Sequence, residues 1–269
     1  MKRKNREQWS KRHGDIKIGF WNPWSYSNER HQFCKGLGYD IIGLTELHNK
    51  QQIKECMGMR WTPSKIAAEK EGKSEDPAAG VAILLSEKMS MNVLSRGHVG
   101  SRIAWVRIAG PVCNLFVVVV YIPHKGRQKY PRATDTIQDL KKLLMTAPKS
   151  DCIILGGDMN CQLQRNVQGC TGKWSMTQRP DGGHGEEFLS LMRTLDLFAV
   201  DTLFRPKRRY WESSKKKKRL CNATYIEKDA TRRPRKLDYI CVSNRWKSMV
   251  KNVQVRWAST SPRGSPSSP

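Results

Sequence analysis

The stretch CIILGGDMN, residues 152–160, decides the fold class that this sequence predicts. Its first four residues form an apolar run typical of a strand that is buried on both faces. The glycines that follow allow the backbone to turn tightly, so Asp158 and Asn160 would project from the carboxyl end of that strand. Active sites of layered α/β proteins collect at this edge of the sheet. A simple turn is the alternative, because Gly, Asp and Asn are also the common turn residues.

The same arrangement recurs elsewhere in the chain. Asn22 and Glu46 each follow an apolar run, and Tyr121 lies near the end of another. Asp238 lies inside a fourth run, where an aspartate is costly unless it is paired or binds a ligand. Each position has an ordinary explanation as well: a turn, a solvated carboxylate, a satisfied hydroxyl, or a salt bridge from Asp238 to a neighbouring basic residue. Several polar groups of complementary type at strand ends nevertheless favour a shared catalytic site.

Apolar runs and helical periodicity predict a layered α/β domain. The predicted strands are Ile16–Trp21, Asp40–Leu44, Val81–Leu85, Ile103–Ile108, Leu115–Ile122, Cys152–Leu155, Leu237–Val242 and Val253–Trp257. The predicted helices are Ser27 to about Leu37, Thr134–Ala147 with Thr134 as its cap, and Glu186–Leu197. We expect a surface loop at Glu69–Ala79, which is polar and acidic.

Net charge points to a polyanionic partner. The chain has 49 Lys and Arg against 24 Asp and Glu, a formal charge of +25. A membrane surface is the weaker explanation, since no basic amphipathic helix with a wide apolar face is evident. The longest apolar run, Leu115 to Pro123, is about half of the ~18 residues that suggest a membrane span. DNA is therefore the predicted partner, with RNA as the alternative.

Basic residues concentrate close to the acidic motifs. Arg205–Arg219 holds nine Lys or Arg against one Glu, and further arginines precede Asp238. A run of this kind can be a solvated loop or a nuclear localisation signal, but its position favours contact with the DNA backbone. The predicted nucleic-acid-binding residues are Lys215, Lys216, Lys217, Lys218, Arg232 and Arg233. Aromatic side chains that could stack on a displaced base are Trp174, Tyr210 and Trp211.

Cysteines and chain ends set the expected compartment and boundaries. The eight cysteines are scattered without Cys-x-x-Cys spacing, which favours reduced thiols over disulfides or zinc. Residues 1–14 form a basic arm with no apolar stretch after it, so we expect a nuclear or cytoplasmic protein rather than a secreted one. Residues 15–257 form the predicted domain. Residues 258–269, with five Ser and three Pro, form a tail that we expect to be disordered.

The order of these motifs resembles the endonuclease/exonuclease/phosphatase superfamily, which has the DNase I-like fold. The motifs are Asn, Glu, Tyr-x-Pro, Gly-Asp-x-Asn and Leu-Asp-Tyr, in that order, and they cover nearly the whole chain from Ile16 to Trp257. The stretches Ala199–Phe204 and Asn222–Tyr225 resemble the endonuclease domains of non-LTR retrotransposon polyproteins in particular. The resemblance implies a layered α/β sandwich of two mixed sheets flanked by helices.

The resemblance also implies a role for each motif residue. Mg²⁺, or Mn²⁺ in its place, would be held by carboxylate and amide oxygens of Glu46, Asn22 and Asp238. Asp158 would orient or deprotonate the attacking water, and Asn160 would help to fix the phosphate. Tyr121 would donate a hydrogen bond to a phosphate oxygen. These roles predict a magnesium-dependent endonuclease that nicks DNA.

One departure from the family pattern lowers the expected activity. The family ends on a strand that carries an Asp-His pair, but no Asp or His follows Asp238 in this sequence. We therefore expect the last catalytic segment and core strand to be missing, and cleavage to be weak or absent. A catalytically dead nucleic-acid-binding module of the same fold is the alternative. A phosphatase of inositol lipids or a sphingomyelinase would share the fold, but the charge of +25 disfavours both.

Overall fold

The fold is seen in a computed structural model, which describes residues 15–23, 27–47, 60–63, 80–124, 133–178, 184–207, 209–212, 217–220, 222–225 and 234–255. The strands are β1 Ile18–Trp21, β2 Ile41–Leu44, β3 Arg60–Pro63, β4 Ala82–Leu85, β5 Val93–Val99, β6 Ile103–Ile108, β7 Leu115–Tyr121, β8 Cys152–Asp158, β9 Leu197–Ala199, β10 Arg209–Glu212, β11 Lys217–Leu220 and β12 Asp238–Ser243. The α-helices are α1 Asn28–Gly36, α2 Glu87–Ser90, α3 Ala133–Met145 and α4 His184–Thr194. Two 3₁₀ helices cover Val200–Thr202 and Asn244–Met249.

These strands form two mixed sheets and a separate hairpin. One sheet has the order β1-β2-β4-β3, and the other has the order β5-β6-β7-β8-β12-β9. In each sheet one pair is parallel, β1 with β2 and β7 with β8, while the remaining neighbours are antiparallel. β10 and β11 pair only with each other among the described strands. The predicted α/β architecture of two mixed sheets flanked by helices is confirmed.

Strand β7 lies at the centre of the core and is buried along its whole length. Val117 and Val119 pack with residues of the four-stranded sheet such as Ile83. On the opposite face, Val118 packs with apolar residues of α3 and α4, including Leu140. The continuous apolar run predicted this burial on both faces. Helix α1 covers the outer face of the four-stranded sheet, which completes a four-layer sandwich.

The helix predictions were right in position but not at every end. Helix α1 begins after Ser27, whose hydroxyl accepts a hydrogen bond from the Arg30 amide as an N-cap. Thr134 is not the cap of α3, because that helix begins at Ala133, and the Thr134 hydroxyl donates to Glu187 of α4 instead. Helix α4 ends at Thr194, and the predicted helical residue Leu197 begins strand β9.

The glycines of the opening motif do not form a turn, which corrects the prediction. Strand β8 continues through Gly156 and Gly157 to Asp158, and both glycines are buried. A Cβ at Gly156 would lie 2.4 Å from the ring of Phe20 in the opposite sheet. Gly157 has φ 137°, and a Cβ there would lie 2.1 Å from the carbonyl oxygen of Val120. The glycines therefore permit close approach of the two sheets and of the neighbouring strand.

Gly157→Ala is expected to destabilise the fold by about 3 kcal/mol or more. The positive φ would strain any side chain, and the contact with the Val120 carbonyl is with backbone that cannot rotate away. Urea unfolding followed by circular dichroism measures the change in free energy of unfolding. Gly36→Ala is the matched control, because nothing lies within 4 Å of its Cβ position. Equal stability of the Gly157 and Gly36 variants would contradict the prediction.

Several sequence predictions do not match the structure or fall outside it. No strand covers residues 253–255, where Val253–Trp257 was predicted, and residues 256–257 lie outside the described part. The run Arg205–Arg219 is not a simple loop, since it contributes the paired strands β10 and β11. The basic arm 1–14, the loop 69–79 and the tail 258–269 lie outside the described residues. None of the described helices has the length and apolar composition that a membrane span requires.

Candidate active site at the edge between the two sheets

Three of the predicted site residues form a row across neighbouring strands of the larger sheet. Tyr121 at the end of β7 is in register with Asp158 at the end of β8, and Asp158 is in register with Asp238 at the start of β12. Residues directly opposite each other on paired strands project to the same face of a sheet. This face is the one that packs on the four-stranded sheet, because Val119 and Ile154, two and four residues earlier in β7 and β8, pack there.

The four-stranded sheet supplies two more of the predicted residues at the same edge. β1 and β2 are parallel, so Asn22 after β1 and Glu46 after β2 leave the sheet at the same end. The Asn22 side-chain amide donates a hydrogen bond to Asp158 Oδ2 at 3.4 Å, which links the two sheets. Glu46 is near enough to act electrostatically on both Asp158 and Asp238. The structure therefore brings these strand-end residues of both sheets together.

Asn160 is held next to Asp158 by its backbone and its side chain. Its amide donates to Asp158 Oδ1 at 2.9 Å, and its Nδ2 donates to the Ile122 carbonyl at 2.9 Å. Its φ of 47° is in the left-handed region, as is the φ of 52° at Glu46. Left-handed non-glycine residues store backbone strain and persist where the surroundings fix them, often at functional sites.

Burial and nearby negative charges act on the two aspartates. Asp158 is only 6% exposed, and burial first, then the nearby charges of Asp238 and Glu46, hold its pKa well above the ordinary value. The hydrogen bonds from Asn160 and Asn22 oppose that rise in pKa. Burial likewise raises the pKa of Asp238, although Thr224 and a lysine oppose it. The site is therefore an electrostatic environment in which additional positive charge is favourable.

A buried ion pair beside Asp238 was not expected from the sequence. Lys236 is 1% exposed, and its ammonium group forms a short salt bridge with the buried Asp201. The ammonium group also donates to the backbone carbonyl of Asp238 at 3.0 Å. Arg235, the other basic neighbour, stacks over the ring of Tyr225 at 5.2 Å from its centroid. The buried lysine next to Asp238 therefore pairs with a more distant aspartate, and its charge acts on the Asp238 carboxylate only as a neighbour.

The donor set is compatible with Mg²⁺, which usually binds through one or two carboxylates and keeps several waters. Among the described residues, no three His, Cys, Asp or Glu side chains form a ready-made metal centre. A magnesium ion does not require one. The raised pKa values of Asp158 and Asp238 are the effect that a bound cation would reverse. The Asn22 amide, whose Nδ2 faces Asp158, adds an oxygen of the kind that this ion prefers.

The predicted DNA-contacting lysines are only partly covered by the structure. Lys217 and Lys218 lie in β11, in register with Glu212 and Trp211 of β10. Lys215, Lys216, Arg232 and Arg233 lie outside the described residues. The chain that follows this hairpin returns to the site, because the Thr224 hydroxyl accepts hydrogen bonds from the backbone amides of residues 237 and 238. The basic hairpin therefore leads directly into the segment that supports the acidic row.

The chain belongs to the Endonuclease/Exonuclease/phosphatase family, whose model matches residues 28–259. Craniofacial development protein 2 of Bos taurus is 24% identical over 251 residues, which are 89% of this chain and 38% of that protein. The chain thus spans less than two fifths of the length of that relative.

Two solved structures show the same fold at low identity. The endonuclease domain of TRAS1, a telomere-specific non-LTR retrotransposon, superposes with a TM-score of 0.51 at 14% identity, covering 86% of this chain and 85% of that one. A variant of the 3′ phosphatase NExo from Neisseria, bound to a product DNA hairpin, gives a TM-score of 0.58 at 16% identity, covering 87% and 89%. The resemblance to the superfamily is confirmed.

Proposed function

We propose that this chain is the DNA-nicking endonuclease domain of a retrotransposon-derived protein and that it depends on Mg²⁺. The observation that carries the proposal is the row of Tyr121, Asp158 and Asp238, which meets Asn22 and Glu46 of the second sheet at one edge. Membership of the family supports hydrolysis of a phosphate ester. The charge of +25 and the DNA-bound state of the Neisseria protein support DNA as the substrate.

Asp158 is the residue best placed to orient the attacking water and accept its proton. Its carboxylate lies at the end of β8, in register with both Tyr121 and Asp238, at the centre of the row of site residues. Both of its oxygens are held, Oδ1 by the Asn160 amide and Oδ2 by Asn22, so the direction of its remaining lone pairs is fixed. Fixed orientation of a general base is worth much of its catalytic effect.

The remaining residues would bind the phosphate and the metal. The Asn160 side-chain amide uses one N–H on the Ile122 carbonyl, which leaves its second N–H for a phosphate oxygen. The Tyr121 hydroxyl would donate to another phosphate oxygen. Glu46, Asn22 and Asp238 would hold Mg²⁺, which when bound supplies neutralisation of the charge on the phosphate and the leaving oxygen.

Nicking of supercoiled plasmid tests this function. We expect the 269-residue polypeptide to open supercoiled DNA slowly in Mg²⁺ and not in EDTA. Asp158→Ala should remove that activity. Asp139→Ala is the control, because this helix α3 aspartate is half-exposed and pairs with Lys142 on the same helix at 3.8 Å. Cleavage that persists equally in the Asp158 variant would assign it to a contaminant or to another site.

A DNA-binding module without catalytic activity is the second candidate. It is favoured by the same charge of +25. Tight binding of duplex DNA, with no Mg²⁺-dependent nicking at high protein concentration, would select this candidate over the endonuclease.

DNA binding is expected to be strongly salt-dependent, and replacement of Lys215–Lys218 by glutamine should flatten that dependence. Each phosphate contact contributes about −0.9 to the slope of log affinity against log salt on duplex DNA. Loss of up to four contacts should therefore reduce the slope measurably in fluorescence anisotropy titrations. The control variant removes the same charge elsewhere, with glutamine at the exposed residues Lys35, Lys141, Lys142 and Lys149. An unchanged slope in the first variant would make the run a solvated segment.

A further inference from the structure

His184 connects helix α4 to the proposed catalytic residues. It is the first residue of α4 and is only 7% exposed. Its Nε2 lies 2.8 Å from the backbone carbonyl oxygen of Asn160. A carbonyl oxygen can only accept a hydrogen bond, so Nε2 carries the hydrogen and donates it. None of the site motifs in the sequence includes this histidine.

The bond from His184 completes the restraints on Asn160. The Asn160 amide is fixed by Asp158 Oδ1, and the Asn160 carbonyl is fixed by His184 Nε2. Holding the peptide groups on both sides of a residue fixes both of its backbone torsions. This matters at Asn160, because its φ of 47° is a conformation that a free asparagine adopts only in a minority of cases.

A packing role alone does not account for a histidine at this position. The neighbouring buried residues Phe188 and Leu189 of α4 already supply apolar contacts to the core. The His184 Nδ1 atom is buried and has no hydrogen-bond partner among the described residues. Burial of a polar ring with one unsatisfied nitrogen is unfavourable, and a leucine would avoid it. The hydrogen bond to Asn160 is the feature that an apolar residue could not supply.

We propose that His184 is a positioning residue, whose hydrogen bond to the Asn160 carbonyl keeps Asn160 left-handed and thereby aims both its side chain and the Asp158 carboxylate. Only the expected effect of His184 on cleavage rests on the proposed function. The hydrogen bond and its effect on Asn160 are properties of the chain without metal or DNA, and they can be measured separately.

Two substitutions separate the donor from the bulk of the ring. His184→Gln keeps an N–H donor at a reach similar to that of Nε2, whereas His184→Leu removes it. Glu186→Gln is the control, because this residue is exposed in the first turn of the same helix. The first measurement is amide hydrogen exchange by NMR on the metal-free protein, comparing Asn160 with Val119, which is buried in the centre of β7.

The leucine variant is expected to exchange its Asn160 amide about tenfold faster than the wild type, with Val119 unchanged. The glutamine variant and the Glu186 control should stay close to the wild type at both positions. A merely structural role would raise exchange at both amides through general loss of stability. Equal exchange at Asn160 in the leucine variant and the wild type would overturn the inference. So would ¹⁵N chemical shifts that show the wild-type His184 Nε2 without a hydrogen.

Plasmid nicking gives the second measurement. The leucine variant should lower kcat by about tenfold or more with KM for DNA unchanged, and glutamine should restore most of it. A selective rise in Asn160 exchange without cleavage by any variant, wild type included, would support the positioning role and count against the proposed function. A glutamine variant as impaired as the leucine variant in both measurements would overturn the positioning role.

Discussion

Asp158→Asn is expected to lower Mg²⁺-dependent cleavage by about 10²–10⁴ and, in the metal-free protein, to raise the free energy of unfolding. The catalytic loss follows because an amide cannot accept the proton of the attacking water. The gain in stability follows because the buried carboxylate, near Asp238 and Glu46, is unfavourable when charged. The asparagine keeps an acceptor for the Asn160 amide, and the Asn22 amide can turn its oxygen toward the new NH₂ group.

The effect on stability should grow with pH. The pKa of Asp158 in the folded protein is raised above the value of about 3.9 in the unfolded chain. The folded state therefore favours the protonated carboxyl. Its contribution to stability is complete below the pKa of the unfolded chain and is lost as the pH rises through the pKa of the folded protein. Metal-free wild type should therefore become less stable relative to the asparagine variant as pH rises above about 4. Urea unfolding in EDTA at a series of pH values measures the difference.

Asp151→Asn provides a matched control just before the other end of strand β8. Asp151 is also buried, but it accepts two hydrogen bonds from the Arg107 guanidinium, at 2.6 and 3.2 Å. Its replacement should lower stability by about 1–3 kcal/mol, because a charged hydrogen-bonding partner is lost. Opposite signs for the two substitutions would show that Asp158 is retained for function at a cost in stability. A loss of stability at Asp158 as well would contradict the electrostatic account.

The sequence predicted the parts of the fold that depend on local pattern. The apolar runs located β7 and β12, because strands buried on one or both faces have few polar residues. The expectation that site residues meet at strand ends followed from a general property of parallel strands, whose carboxyl ends share an edge. Strand β5 was missed because its sequence, VLSRGHV, has no fully buried residue and lacks an apolar alternation. Strand β9 was not predicted, and its first residue, Leu197, was assigned to the preceding helix because it continues the apolar spacing of α4.

Features that depend on contacts distant in sequence were not predictable. Position 156 of strand β8 requires a glycine because the ring of Phe20, in the other sheet, occupies the space that a side chain would fill. By sequence alone, Lys236 could have paired with Asp238, two residues later, but its partner is Asp201. His184 carries no motif, and only the fold places it against Asn160. In each case the cause is tertiary packing, which local composition does not encode.

Replacement of the tail 258–269 by a segment that carries an Asp-His pair about ten residues after Trp257 is expected to raise the nicking rate by roughly 10²–10⁴. The position of the residues before Trp257 indicates that such a segment could reach the site. Lys251 forms an ion pair with Asp15 at 2.5 Å, so the chain there lies beside the start of β1. Among the described strands β1 pairs only with β2, so its other edge has no neighbouring strand. Asn22 directly follows the last residue of β1, so a segment along that edge would reach the site. A further ten extended residues span roughly 33 Å, which exceeds the length of β1.

The effect of the Asp-His pair can be distinguished from a general effect of the new segment. A segment of equal length with Ala-Ala in place of Asp-His should bind along the same edge and raise stability without raising the rate of cleavage. Asp158→Ala in the protein with the Asp-His segment should abolish the increase in nicking, because the new histidine would bind the phosphate while Asp158 activates the water. Rapid Mg²⁺-dependent cleavage by the unmodified 269-residue polypeptide, lost on Asp158→Ala, would contradict the prediction. In that case the residues already gathered at the edge between the sheets would be sufficient, and the second N–H of Asn160 and the Tyr121 hydroxyl would be the groups that bind the phosphate.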